Sequence, residues 1–266
     1  MKVSELRALP IKLLIYSRAG LGKTALALTL GEKCLYLDMD DNMEVAFGLD
    51  DKFKEDRLSV EVEQFIDTDH TKAVAFMKLR QRIIKISNDC RKGQFDYDFV
   101  VIDSLTSLAL AAQHQCMVNA SKTGENPQIQ HWGSILNEIL QIVTMIRALP
   151  VVVLVLAHET TFTADDVSII QIAISGQKLP GQITRMFNEI WYLRAKGDGG
   201  GAQTLYIQTV PTSSITCRSG RGLPTGTHYA KIDKAGKAVD SVGMKELLGM
   251  IDRKDKEPAT AELKTE

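Results

Sequence analysis

Gly22, Lys23 and Thr24 close the stretch SRAGLGKT, residues 17–24, and their types and spacing suit the binding of a triphosphate. A glycine lets the backbone approach a phosphate, a lysine ammonium reaches the β- and γ-phosphates, and a threonine hydroxyl can ligate Mg²⁺. About eighty residues on, Asp103 ends the apolar run FVVID. A carboxylate at the end of a buried strand beside such a loop can hold the Mg²⁺ shell, usually through water; alone it could equally be a helix N-cap. His158 ends VVVLVLAH, where it could orient water or sense the γ-phosphate, although a lone histidine is often structural.

These groups can meet only if a strand delivers the chain to a tight loop and a helix presents its free N-terminal amides to the phosphate. Residues 11–28 supply that order: an apolar run, a small-residue turn, then alanines and leucines suited to a helix. The phosphate-binding set is thus Ser17, Arg18, Ala19, Gly20, Leu21, Gly22, Lys23, Thr24 and Ala25. One position departs from G-x-x-x-x-G-K-[ST]: Ser17 replaces the first glycine, which predicts strain in the turn, relieved in part by Gly20.

Elsewhere strands and helices alternate, as a parallel sheet requires. Residues 34–37 form a short apolar strand followed by Asp38, Asp40 and Asp41, and 58–66 read as a weaker strand. Over 71–88, Phe76, Leu79, Ile83 and Ile86 recur at helical spacing, leaving Lys72, Lys78, Arg82 and Lys85 on another face, a solvated surface or a nucleic-acid contact. Further helices are predicted from 104 to about 117, over 132–149 and over 178–187, and strands at 99–102 and 151–156. Residues 119–130 and 160–176 read as loops. Strands at 189–194, 204–209 and 214–218, with GDGGG at 197–201 as a hairpin turn, predict an antiparallel extension of the same sheet rather than a second domain. A last helix over 243–251 completes one domain, residues 1–251; residues 252–266 lack the apolar content to pack and read as a disordered tail.

Of 266 residues, 44% are hydrophobic and 24% charged, ordinary for a globular α/β chain. The formal net charge of -1 excludes a globally basic nucleic-acid coat, so a DNA contact would have to be local. The four cysteines show no C-x-x-C spacing, and no signal-peptide core or membrane-spanning run is apparent, which points to a cytoplasmic location.

Together, SRAGLGKT, LDMDD, FVVIDSLTSL, WGSILNEIL with LPVVVLVLAHE, LPGQ with FNEIWYLR, and IQTVPTSSITCRSGRGLP resemble the RecA-like P-loop ATPase core over residues 10–235. More narrowly, their order is similar to the small phage ATPases of single-strand annealing and recombination. The resemblance implies an α/β fold, a mostly parallel twisted sheet flanked by helices, with the antiparallel extension C-terminal. It implies an ATPase using ATP and Mg²⁺, assembled as a homo-oligomeric ring or filament in the cytoplasm, the host's if phage-encoded. Single-stranded DNA, entering at 119–130 and 160–176, and a single-strand-binding protein are its implied partners. Residue by residue, the resemblance gives Lys23, Thr24 and Asp103 their nucleotide and metal roles and makes His158 the γ-phosphate sensor. Asp40, with Asp38 and Asp41 as alternatives, matches the water-activating glutamate, one methylene shorter, which implies slow hydrolysis. Arg221, or else Arg218, matches the basic residue donated in trans.

Overall fold

Short apolar strands joined through helices must lie side by side and parallel, and each must bury both of its faces. The computed structural model, which describes residues 9–47, 51–164, 167–176 and 178–253, shows this arrangement. Strands β1 (Lys12–Ser17), β2 (Cys34–Asp38), β3 (Glu61–Gln64), β4 (Phe99–Asp103), β5 (Val152–Ala164) and β7 (Glu189–Gly197) form a parallel block in the order β7-β1-β5-β4-β2-β3. Antiparallel strands β8 (Gln203–Gln208), β10 (Thr227–Ile232) and β11 (Ala238–Ser241) extend it beyond β7. The fold is thus a mixed α/β P-loop core, as the sequence predicts.

Alternation along each strand divides the interior into two cores. Leu14, Tyr16, Leu35, Leu37, Val100 and Ile102 face helices α3 (Ala75–Arg91), α4 (Leu105–Asn119), α5 (Ile129–Ala148) and α6 (Leu179–Arg185). Leu13, Ile15, Cys34, Tyr36 and Val101 face α1 (Lys23–Leu28) and α7 (Met244–Arg253). The predicted stripe of α3, Phe76, Leu79, Ile83 and Ile86, is buried, each side chain contributing about 1.5–3 kcal/mol by its removal from water. On its outer face Arg82 is held bidentately by Glu63 of β3, and Lys72, in the turn before α3, lies 3.7 Å from Asp69.

Several boundaries differ from the sequence reading. Residues 160–176 are not a loop: β5 continues through Ala164 and pairs antiparallel with β6 (Val167–Ile172), making a hairpin. Its β-branched interior, read as loop, is the usual composition of a strand. Residues 58–66 split between the end of helix α2 (Lys54–Leu58) and β3, because partner strand β2 offers only four paired positions. Of 214–218, only Arg218 enters a strand, β9 (Arg218–Ser219), with one further bridge from Ile215 to Ile170. Strands β10 and β11 had no clear sequence signal: polar residues dominate their exposed faces, and the pairing of β10 to β8 and of β11 to β10 supplies what the pattern lacks. Helix α7 runs on to Arg253, and the rest of the expected tail, 254–266, lies outside the described residues.

The extension braces the loop between β1 and α1. Tyr229 of β10, buried, donates its hydroxyl to the Leu21 carbonyl at 2.6 Å. The Met244 amide at the start of α7 donates to Thr29 Oγ1 at 2.7 Å, just past the end of α1.

Candidate functional site

The loop's shape comes from two glycines. Gly20 and Gly22 have φ of 82° and 72°, in the left-handed region, and a Cβ at either would meet nothing within 4 Å. Conformation rather than space therefore selects glycine there. Ser17 is still the last residue of β1, in register with His158, and is absent from the positive-φ residues. The expected strain at Ser17 is not present, because the turn begins after it.

Lys23, the first residue of α1, points back into the loop. Its ammonium donates to the Ser17 carbonyl at 3.1 Å, to Ser17 Oγ at 3.2 Å and to the Arg18 carbonyl at 3.1 Å. Burial lowers its pKa, while Asp103, Asp40 and Glu159 act to raise it. A partly desolvated ammonium held by weak carbonyl acceptors is well placed to exchange them for phosphate oxygens.

Strand order brings the remaining groups to this loop. Because β5 lies between β1 and β4, the carboxyl ends of these strands converge in one crevice. Asp103 is paired with Asp38 on β2 and Leu156 on β5, and its Oδ2 accepts the Thr24 hydroxyl at 2.6 Å. The helix cap at this point is Ser104, whose Oγ accepts the Ser107 amide, so Asp103 is not the cap and its carboxylate remains at the crevice. Burial raises the pKa of Asp103; hydrogen bonds from Thr24 and Tyr36 oppose this.

Of the three aspartates after β2, the structure separates the roles. Asp38 is buried, and its Oδ1 accepts the amides of Asp40 and Asp41 while Oδ2 accepts from Gln64, so it shapes the turn. Asp40 is directed into the crevice: Oδ1 accepts the Ser104 hydroxyl at 2.8 Å, and Oδ2 lies 3.0 Å from His158 Nε2. Burial pushes its pKa up, but bonds from His158, Ser107 and Ser104 outweigh that and hold it below the ordinary carboxylate range. His158 is itself fixed by its amide, which donates to Thr106 Oγ1. It sits inside β5 rather than at its end, at the point where parallel pairing to β1 gives way to the hairpin.

Around these groups lies a cavity of about 520 Å³, lined from the loop by Ala19, Gly20, Gly22, Lys23, Thr24 and Ala25, and opposite by Asp40, Asp41, Asp103, Ser107 and His158. Ser17, Arg18 and Leu21 do not line it. Its size suits a nucleotide's phosphates and sugar, and its basic, hydroxyl and backbone N–H groups suit their charge. A smaller apolar cavity of about 60 Å³ behind α1, near Phe53 and Tyr229, is too small for a purine. The Thr24–Asp103 oxygen pair fits a hard divalent cation. Among the described residues no three His, Cys, Asp or Glu side chains form a metal cage, and Mg²⁺, which keeps waters and phosphate ligands, does not need one.

Arg218 and Arg221 are elsewhere. β9 pairs with the start of β7, opposite Glu189 and Ile190, which align with Leu13 and Leu14 of β1. Both arginines therefore lie near the amino end of β1, across the sheet from the phosphate loop of their own chain. Arg218 donates to the carbonyls of Thr184 and Phe187. Arg221 donates to the Leu9 carbonyl, and its amide donates to the buried Glu189 carboxylate, which also holds Trp191 Nε1 and Ser219 Oγ.

Two contributors escaped the sequence reading. Tyr36 Oη donates to Asp103 Oδ2, and Tyr229 holds Leu21. Tyr36 sits in an apolar strand whose pattern marks it as core, so only the partner across the sheet reveals the hydroxyl's use.

No helix among the described residues is long and apolar enough to cross a membrane. A family model described as AAA domain matches residues 9–219. No curated protein matches the chain.

Proposed function

The chain belongs to the AAA-domain family of P-loop ATPases, and from that premise we propose that it is a slow, assembly-dependent Mg²⁺-ATPase acting on single-stranded DNA. The observation that carries the catalytic part is the convergence of Asp40 and His158, 3.0 Å apart, on the cavity that holds Lys23, Thr24 and Asp103.

In this reading the loop amides and Lys23 hold the β- and γ-phosphates, and Thr24 and Asp103 would hold Mg²⁺. Bound Mg²⁺ supplies charge neutralisation at the phosphates. Asp40, kept ionised by Ser104 and His158, accepts the proton of the attacking water, and His158 reports the γ-phosphate. Aspartate's short reach makes turnover slow. Arg221, too far from its own loop, completes the site of a neighbouring subunit, so assembly and hydrolysis are linked.

The DNA part rests on the resemblance in sequence and on the β5–β6 hairpin. That hairpin begins one residue after His158 and exposes Thr160, Thr161, Phe162 and Thr163, giving a direct connection from the γ-phosphate to a projecting surface with one aromatic available for base stacking. The rival reading, a nucleotide-switched assembly ATPase without DNA, draws on the other expected DNA loop, where Lys122 is paired to Glu125 at 3.3 Å.

ATP turnover and assembly size, each measured with and without single-stranded DNA, test the proposal. Stimulated turnover together with larger assemblies is expected. Turnover and size that ignore DNA favour the rival, and absence of ATP turnover under all conditions overturns both.

A further inference from the structure

We infer that Tyr36 is a positioning residue for the metal site, holding Asp103 from inside the sheet so that Thr24 and the carboxylate meet a divalent cation in fixed geometry. This rests on the Mg²⁺-ATP reading above.

The ring of Tyr36 is wholly buried among apolar side chains of the core that faces α1, an environment that gives its hydroxyl few partners. That hydroxyl nonetheless donates to Asp103 Oδ2, the same oxygen that accepts the Thr24 hydroxyl at 2.6 Å. The two donors come from different elements, Thr24 from the loop helix and Tyr36 from β2, one strand over from Asp103 in the sheet, and their hydroxyls also meet each other. Register explains the reach. Tyr36 is aligned with Val101, two residues before Asp103, so both side chains lie on one face of the sheet and Tyr36 extends along it to the carboxylate.

A carboxylate this buried, 1% exposed, needs donors to offset its lost hydration. The Thr24 hydroxyl has one proton and two lone pairs, so it can donate to Asp103 and still offer its oxygen to a cation, which leaves it engaged with both. Tyr36 is wholly buried and offers nothing to the cation, so it holds the Asp103 carboxylate from β2 while Thr24 serves both carboxylate and cation. Asp103 thereby retains the cavity-facing orientation that a hard cation requires.

The test is Mn²⁺ binding to the full chain with a non-hydrolysable ATP analogue, followed by electron paramagnetic resonance, beside metal-free analogue binding. Mn²⁺ stands in for Mg²⁺. Tyr36→Phe keeps the ring and removes the hydroxyl; it is expected to weaken Mn²⁺ by about tenfold while metal-free binding stays within about twofold. In an Asp103→Asn background the same substitution should change Mn²⁺ affinity little, since the pair is already broken. Unchanged Mn²⁺ affinity for Tyr36→Phe, or an equal loss in both backgrounds, overturns the inference. If Tyr36→Phe alone does not fold, recovery of folding in the Asp103→Asn background supports the coupling, and failure there too overturns it. Should the unsubstituted chain bind no Mn²⁺ with the analogue, the Mg²⁺-ATP reading itself fails, a result distinct from failure of Tyr36.

Discussion

Asp40 and His158 are joined across a strand that carries neither: His158 Nε2 lies 3.0 Å from Asp40 Oδ2, although β2 and β5 are separated by β4. Ser104, immediately after β4, bonds the other oxygen of Asp40, so the carboxylate ties the chain after β2 to the end of β4 and to the middle of β5. For Asp40→Asn, ATP affinity should hold within about threefold and turnover fall about 10²-fold or more, the range of a lost general base. His158→Ala should retain binding and lose a smaller part of turnover. Single-turnover kinetics with analogue binding measured in parallel checks this; equal turnover in Asp40→Asn would remove Asp40 from catalysis.

Lys23 and Ser17 make a second pair. Lys23→Ala should abolish nucleotide binding with little change in melting temperature, because the ammonium it removes is desolvated and bonded mainly to carbonyls. Ser17→Ala removes one acceptor that competes with phosphate for Lys23, and a two- to threefold gain in ATP affinity is expected, about 0.5 kcal/mol. Titration with a fluorescent ATP analogue reads both.

The two arginines should part company under mutation. Arg218→Ala strips donors from the Thr184 and Phe187 carbonyls and should cost about 1–3 kcal/mol of stability in a denaturant melt. Arg221→Ala should cost less, keep ATP binding and lose turnover. Mixing it with Lys23→Ala subunits should restore part of that turnover, since each mixed interface can pair an intact loop with an intact arginine. No rescue in the mixture counts against a shared site.

Lys12 gives a pH prediction. Its ammonium donates to the carbonyls of Leu149, at 2.6 Å, and Val151, and burial, with Arg147 adding to it, lowers its pKa to about 8. The folded state therefore releases this proton before the unfolded chain does. Between pH 8 and the unfolded value near 10.5 the unfolded chain binds more protons, so Lys12 makes stability rise with pH there, and below pH 8 its penalty is constant. Lys12→Met should flatten that part of the stability–pH curve, as urea melts from pH 7 to 10.5 would show; an unchanged slope would place the titration elsewhere.

Chemistry concentrated in a short stretch was legible in the sequence. The loop at 17–25 and Asp103 are local patterns: glycine conformation, a lysine and threonine at fixed offsets, and an acid ending an apolar strand are enough to predict a strand-loop-helix and a parallel sheet. What needed the tertiary structure was every relationship between strands distant in the chain. Asp38, Asp40 and Asp41 are chemically alike in sequence; the register of β2 against β4 turns Asp38 to the backbone and Asp40 to His158. Tyr36 looks like core until Asp103 is placed beside it, and the β5–β6 hairpin looks like loop until its two arms pair. Ser17 looked like a strained glycine position until β1 was seen to extend through it. Sequence periodicity reports which face of an element is apolar, whereas which polar side chain meets which is set by strand order and register, and those are fixed by the packing of the whole sheet.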